Sequence, residues 1–224
     1  MCGVAANKKQ AGVLIVLMMA SGVVWLIGNL PESRRGGAKS GKDGGFDVFE
    51  DCRVISDQGN DGDSFQVKMS DGKVRHLRLY FVDAPETEVT RYRDGNAHVK
   101  GLRHQANYFS GLSQWEIVGV GQEGKRWGKG LFSEVKSFTV YTRGGKVYDR
   151  GRIYVLIKLR WGGRERWMQE LLVEEGMARI YTMGTDLPDG PFRALQTKRL
   201  HVLEKAAKAG KNGGWELARK PIRS

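Results

Sequence analysis

Between Gln10 and Pro31 no charged residue interrupts the chain, and residues 11–30 read AGVLIVLMMASGVVWLIGNL. That run matches the roughly 20 apolar residues that cross a hydrocarbon core. Its place behind Lys8 and Lys9 and a ten-residue N-terminal flank (1–10) predicts a transmembrane anchor or signal peptide over 11–30. Cleavage at Ala20 to Gly22 would leave VVWLIG at the new terminus, so an uncleaved anchor is the expectation. Residues 31–45, PESRRGGAKSGKDGG, mix Gly with charge and lack apolar periodicity, which predicts a flexible tether. A folded domain is expected over 46–217, with a basic tail over 218–224.

Within that domain the pattern shifts to a period of two. Cys52–Ile55 predicts a strand, and Phe65, Val67 and Met69 alternate with Ser64, Gln66 and Lys68 along a second. Asp71-Gly72 is a hairpin turn. The returning strand runs over Val74–Val82, with Leu77, Leu79 and Phe81 on one face and Arg78, Tyr80 and Val82 on the other. Pro85 ends it. Thr87–Phe132 combines helical spacing with Gly101, Gly111, Gly119 and Gly121, which predicts two or more short helices and leaves the basic GQEGKRWGKG segment as a substrate-contacting loop. Further strands follow over Val135–Thr142 and along Ile153, Val155, Ile157 and Leu159. Trp167–Glu175 predicts a helix stopped by Gly176. A last helix near Pro191 has Phe192, Leu195, Val202, Leu203 and Ala206 within about 100° of arc. Strands first, then helices interleaved with strands, imply an α+β domain built on a small barrel.

Composition narrows the partners. The 224 residues contain 37 Lys+Arg against 25 Asp+Glu, a net charge of +12. Such an excess favours a polyanion, either nucleic acid or an anionic membrane. Two cysteines, Cys2 and Cys52, exclude a disulfide scaffold and a four-Cys zinc site. The four histidines, His76, His98, His104 and His201, are scattered without a zinc or triad pattern, and no glycine-rich nucleotide loop is present.

The chemistry concentrates in two acidic clusters a hairpin apart, Asp61-Gly62-Asp63-Ser64 and Asp83-Ala84-Pro85-Glu86. Antiparallel pairing brings the start of one strand beside the end of the other, so Asp63 and Asp83 are expected to meet at the rim of the apolar interior. Carboxylates that close repel unless a cation lies between them, and hard divalent ions such as Ca²⁺ take oxygen ligands of this kind. The competing account is turn chemistry for the first cluster and helix capping for the second. Strict alternation also turns Arg78 away from Asp83, so a bulge or bend is needed to bring its guanidinium to the carboxylates.

In order and content, DGDS, RLYFVDAPE, RGRIYV and LVEEGMARIY resemble the staphylococcal nuclease-like (thermonuclease) family, over roughly Cys52 to Trp215. The resemblance implies an OB-type five-stranded β-barrel with about three helices, hydrolysing DNA and RNA with Ca²⁺ at the 5′-oxygen and leaving a 3′-phosphate. It also implies roles. Asp63 and Asp83 would be carboxylate metal ligands, with the backbone carbonyl of Ala84 in place of the family's threonine. Asp61 and Ser64 would support them, Glu86 would be the general base, and Arg78 and Arg152 would bind phosphate. The expectation is therefore a monomeric, membrane-anchored or secreted nuclease whose domain is exported, with no protein partner implied. The alternative is a catalytically silent OB-type nucleic-acid-binding module, since fold alone does not establish activity.

Overall fold

The computed structural model describes residues 40–90, 98–145, 147 and 151–218. The flank 1–10, the apolar run 11–30 and most of the basic tail lie outside them. Among the described residues no helix is long and apolar enough to cross a membrane.

In chain order the strands are β1 (Ser40–Asp43), β2 (Phe46–Val54), β3 (Ser64–Lys68), β4 (Val74–Leu79), β5 (Val82–Asp83), β6 (Phe138–Thr142), β7 (Ile153–Trp161), β8 (Arg164–Trp167) and β9 (Arg179–Ile180). The helices are α1 (Val99–Tyr108), α2 (Gln114–Glu134), α3 (Met168–Glu174) and α4 (Arg193–Gly210), followed by a 3₁₀ turn at Gly213–Trp215. Strands β2, β3, β4, β7 and β6 pair in that order, and β6 returns to β2, which closes a five-stranded barrel. Only β4 and β7 run parallel among these pairs, with Leu77 opposite Ile153. The mixed α+β architecture is as expected, and the closed barrel is consistent with an OB type; four α-helices stand where about three were expected.

The alternating positions fill the barrel: Phe65, Val67, Leu77, Leu79, Val140, Val155, Ile157 and Leu159 are all buried. Leu156, between two inward residues of β7, is buried as well, because α3 covers the outer face of that strand. A second apolar cluster joins Leu102, Ala106 and Phe109 to Ile117, Val120, Ala207 and Trp215. Trp215 packs its ring 4.7 Å from that of Phe109, so it secures the C-terminal end to the α1–α2 layer.

Several elements differ from the sequence pattern for identifiable reasons. Ser40–Asp43, expected within the tether, pairs antiparallel with the first half of β2, where backbone hydrogen bonding needs no apolar periodicity. The strand predicted over Val74–Val82 breaks at Tyr80–Phe81, where Phe81 adopts a φ of 71°. Glycine did not divide the segment before β6 into short pieces: α2 is one helix of 21 residues and contains the GQEGKRWGKG stretch expected as a loop. Its start is set by a capping box, in which Ser113 Oγ accepts from Glu116 N–H and Glu116 accepts from Ser113 N–H.

Three of the five α2 glycines serve close packing. Gly121, Gly124 and Gly128 are buried on the side facing the Pro85–Glu86 backbone, Met177 and Phe65 respectively. A Cβ at Gly121 would collide with the carbonyl oxygens of Pro85 and Glu86, whereas one at Gly119 meets nothing within 4 Å. Gly121→Ala is expected to lower stability by about 1–3 kcal/mol through this overpacking. Gly119→Ala should be neutral or stabilising, since alanine favours helix by about 1 kcal/mol. Thermal unfolding of the two variants decides the point, and equal midpoints would remove the proposed contact.

In α4 the buried positions are Gln196, Leu200 and Ala207, with Leu203 half-buried. Of the apolar arc read along this helix, only Leu203 turns toward the core: Phe192, Leu195, Val202 and Ala206 are exposed. Tertiary contact selected a face centred on polar Gln196, whose amide donates to the buried Glu170 carboxylate at 3.0 Å.

Cys52 lies wholly inside the barrel, donates to Phe49 O at 3.3 Å and has its pKa pushed up to about 11, mainly by burial. In a Cys2→Ser full-length chain this thiol should stay unreactive toward a disulfide reagent until denaturant is added. Stoichiometric native-state labelling within minutes would contradict that packing.

Candidate functional site

The loop into β3 is shaped by its own side chains. Asp61 Oδ1 accepts from the N–H groups of Asp63 (3.0 Å) and Ser64 (2.7 Å), and Asn60 Oδ1 accepts from Gln66 N–H at 2.7 Å. This turn chemistry delivers Asp63 to a buried position at the head of the strand. In the β3–β4 ladder Ser64 stands opposite Arg78, and Leu79 N–H donates to Asp63 O at 3.0 Å. Beyond Leu79 the left-handed turn at Phe81 redirects the chain into β5, which pairs with β9 so that Asp83 faces Arg179 across the ladder. The bend required by the alternation of Arg78 and Asp83 is therefore present.

The consequence is a four-membered ionic cluster. Arg78 reaches Asp63 Oδ1 through one guanidinium nitrogen at 2.6 Å and Asp83 Oδ1 through the other at 2.5 Å. Arg179 Nε lies 2.7 Å from Asp83 Oδ2, and Ala84 N–H donates to Asp63 Oδ2 at 2.5 Å. Burial pushes Asp63 well above the ordinary aspartate range, against the opposing pull of Arg78, and Asp61 and Asp83 add to the rise. Burial also works against the charge of Arg78, but Asp63, Asp83 and Asp61 outweigh it and hold its pKa above the usual arginine value.

Arg152, just ahead of β7, donates to Ser64 Oγ at 3.2 Å, and Arg78 donates to the same oxygen at 3.3 Å. Both arginines expected at phosphate therefore converge on one hydroxyl, which also donates to Asp63 Oδ1 at 3.1 Å. Glu86 follows the acidic pair on the exposed side. Its carboxyl is nevertheless crowded enough that desolvation raises its pKa, with Asp61 and Asp83 acting in the same direction and His98 and Arg78 against it.

Two residues that the sequence pattern did not single out complete the arrangement. Arg179 neutralises Asp83 and stacks its guanidinium 3.8 Å above the Tyr181 ring. Gln105, buried on α1, donates from Nε2 to Asp83 Oδ2 (3.0 Å) and Ala84 O (3.2 Å) and accepts from Glu86 N–H at 3.2 Å. One amide thus fixes three successive parts of the Asp83–Glu86 segment. Arg179 lay in the quoted LVEEGMARIY run, whereas no sequence signal singled out Gln105.

The donor set of Asp63 and Asp83 fits a hard divalent ion in one respect: it is oxygen-only, and the two carboxylates already gather around a single positive group. The third expected ligand has another partner here, since the Ala84 carbonyl accepts from Gln105 and it is the Ala84 N–H that faces Asp63. Among the described residues no group of three or more His, Cys, Asp or Glu is assembled around a common metal position. No protein-family model and no curated protein matches the chain.

Proposed function

We propose that the protein is a nuclease that hydrolyses phosphodiester bonds of DNA or RNA at this cluster. The observation that carries the reading is the convergence of Arg78 and Arg152 on Ser64 Oγ, beside the Asp63–Asp83 pair and within one short segment of Glu86. Two guanidinium forks of this kind suit the non-bridging oxygens of a phosphodiester, which gain charge as water attacks. The resemblance of DGDS, RLYFVDAPE and RGRIYV to the staphylococcal nuclease-like family, and the OB-type barrel it implies, support the same reading.

In the proposed reaction, Glu86 orients a water and accepts its proton as the water oxygen forms a new bond to phosphorus. The bond from phosphorus to the 5′-oxygen breaks, that oxygen leaves with a proton from solvent, and the 3′-phosphate remains. Arg78 and Arg152 hold the charge that accumulates on the phosphoryl oxygens. A divalent ion, Ca²⁺ in the proposal, would be held by Asp63 and Asp83, with the Ala84 carbonyl as an added ligand, and when bound supplies Lewis-acid stabilisation. Asp61 and Ser64 shape the loop that presents Asp63. Anchoring through 11–30 and export of the domain belong to the same proposal.

A second reading is supported by a specific feature: Arg78 and Arg179 together balance Asp63 and Asp83, which is also how a structural ion-pair cluster in a non-catalytic binding barrel would look. The two separate on incubating the full-length protein with single- and double-stranded DNA and RNA, in Ca²⁺, in Mg²⁺ and in chelator. The nuclease reading expects metal-dependent cleavage that Arg152→Ala greatly reduces. Binding without cleavage under every ion would leave the binding barrel standing. Protease accessibility in intact cells tests export.

A further inference from the structure

Three of the eight large hydrophobic side chains exposed among the described residues belong to α4 or its first cap: Phe192 (74%), Leu195 (53%) and Val202 (68%). At 100° per residue, Leu195, Val202, Ala206 and Ala209 fall within about 60° of arc. That arc lies across the helix from the Gln196, Leu200 and Ala207 face, which packs inward. Lys198 and Lys205, both exposed, border the stripe on one side, and Arg199, more than half exposed while paired with Glu170, borders the other. The only acid of the helix, Glu204, is turned away toward Tyr108 and Lys208. The outward face therefore combines apolar bulk with positive charge and has no acidic residue.

We infer that this face of α4 docks on the surface of an anionic lipid bilayer, with Phe192, Leu195 and Val202 entering the interface and Lys198 and Lys205 meeting lipid phosphates. A bilayer surface takes both components at once: apolar side chains sink to the boundary of the acyl region while basic ones remain among the headgroups. A nucleic-acid backbone would satisfy the lysines and leave the leucine and valine in water. A second copy of the same face would set Lys198 and Lys205 against their like, with no carboxylate between them.

The sequence puts a bilayer surface within reach of the domain: the apolar run 11–30, expected to enter a bilayer, is separated from β1 by the nine residues 31–39.

The test uses the full-length chain with Cys2→Ser and Ala206→Cys, labelled at residue 206 with an environment-sensitive fluorophore; buried Cys52 does not compete for the label. Vesicles are phosphatidylcholine alone, or equal parts phosphatidylcholine and phosphatidylglycerol. On the anionic vesicles the emission should shift to the blue and be quenched by brominated lipid, and on phosphatidylcholine the response should fall several-fold. Adding Leu195→Ser and Val202→Ser should remove the response, and Lys198→Glu with Lys205→Glu should remove the preference for anionic lipid. High salt should weaken it.

If the chain floats with anionic vesicles while residue 206 still emits as in water, the apolar run holds the protein and the α4 docking is wrong. If nothing floats, both fail. A response that rises with protein density at fixed lipid would assign the face to a second copy, and one elicited by DNA without vesicles would assign it to nucleic acid; either overturns the proposal.

Discussion

Asp83→Ala is expected to lower the free energy of unfolding by about 3–5 kcal/mol, the range found when one member of a buried ion cluster is removed. Asp83 is the shared partner of Arg78 and Arg179, and the Arg179 side chain is only 8% exposed. Truncation would strand that guanidinium over the Tyr181 ring without its carboxylate partner, and would release Gln105 Nε2 from one of its two acceptors. Denaturant unfolding gives the magnitude. A double-mutant cycle with Arg179→Met gives the cause, because removing the stranded charge should restore part of the loss. If Asp83→Ala unfolds at the wild-type denaturant concentration, the cluster does not hold the barrel rim together in solution.

The second large effect is on rate. On the proposed nuclease reading, Glu86→Gln is expected to reduce phosphodiester cleavage by about 10²- to 10⁴-fold, the usual contribution of a positioned general base. The amide is nearly isosteric, the side chain is exposed, and the contact that fixes this segment is made by the Glu86 backbone N–H to Gln105. Stability should therefore be close to wild type, and substrate binding should change modestly. That separation makes the variant diagnostic. Cleavage at the wild-type rate would remove Glu86 from the mechanism, whereas a variant that neither cuts nor folds would place the residue in the structure instead. Gln105→Leu provides the complementary case: it keeps the Glu86 carboxylate and removes the amide that orients its segment, so it should reduce rate and stability together.

Much of this architecture was legible from local pattern. Alternation along Phe65–Met69 and Ile153–Leu159 identified two barrel strands, because a strand with one face toward the core must repeat every two residues. Asp-Gly-Asp-Ser and Asp-Ala-Pro-Glu stood out because a hairpin carries them to the same end of the sheet. The α2 helix was harder to see. Glycine reads as a breaker when only propensity is considered, yet Gly121, Gly124 and Gly128 occupy the side on which the site loop, Met177 and Phe65 approach. The inward face of α4 was hard to see for a related reason: hydrophobicity alone picks out Phe192, Leu195 and Val202, whereas Gln196 is buried and bonds to Glu170.

By itself the sequence determined the α+β class, the hairpin that unites the two acidic clusters and the acidic and basic residue types of the candidate site. These depend on periodicity, turn preference and side-chain chemistry, all of which act over a few neighbouring residues. Tertiary structure alone decided that Phe81 bends the chain so that Arg78 bridges Asp63 and Asp83, that Arg152 joins Arg78 at Ser64, and that Gln105 and Arg179 complete the cluster. Arg179 lies 96 residues from Asp83 and Arg152 lies 88 from Ser64. At such separations no local preference operates; the contacts exist because barrel closure and the β5–β9 pairing bring those backbones together, and burial then requires each charge to find a partner.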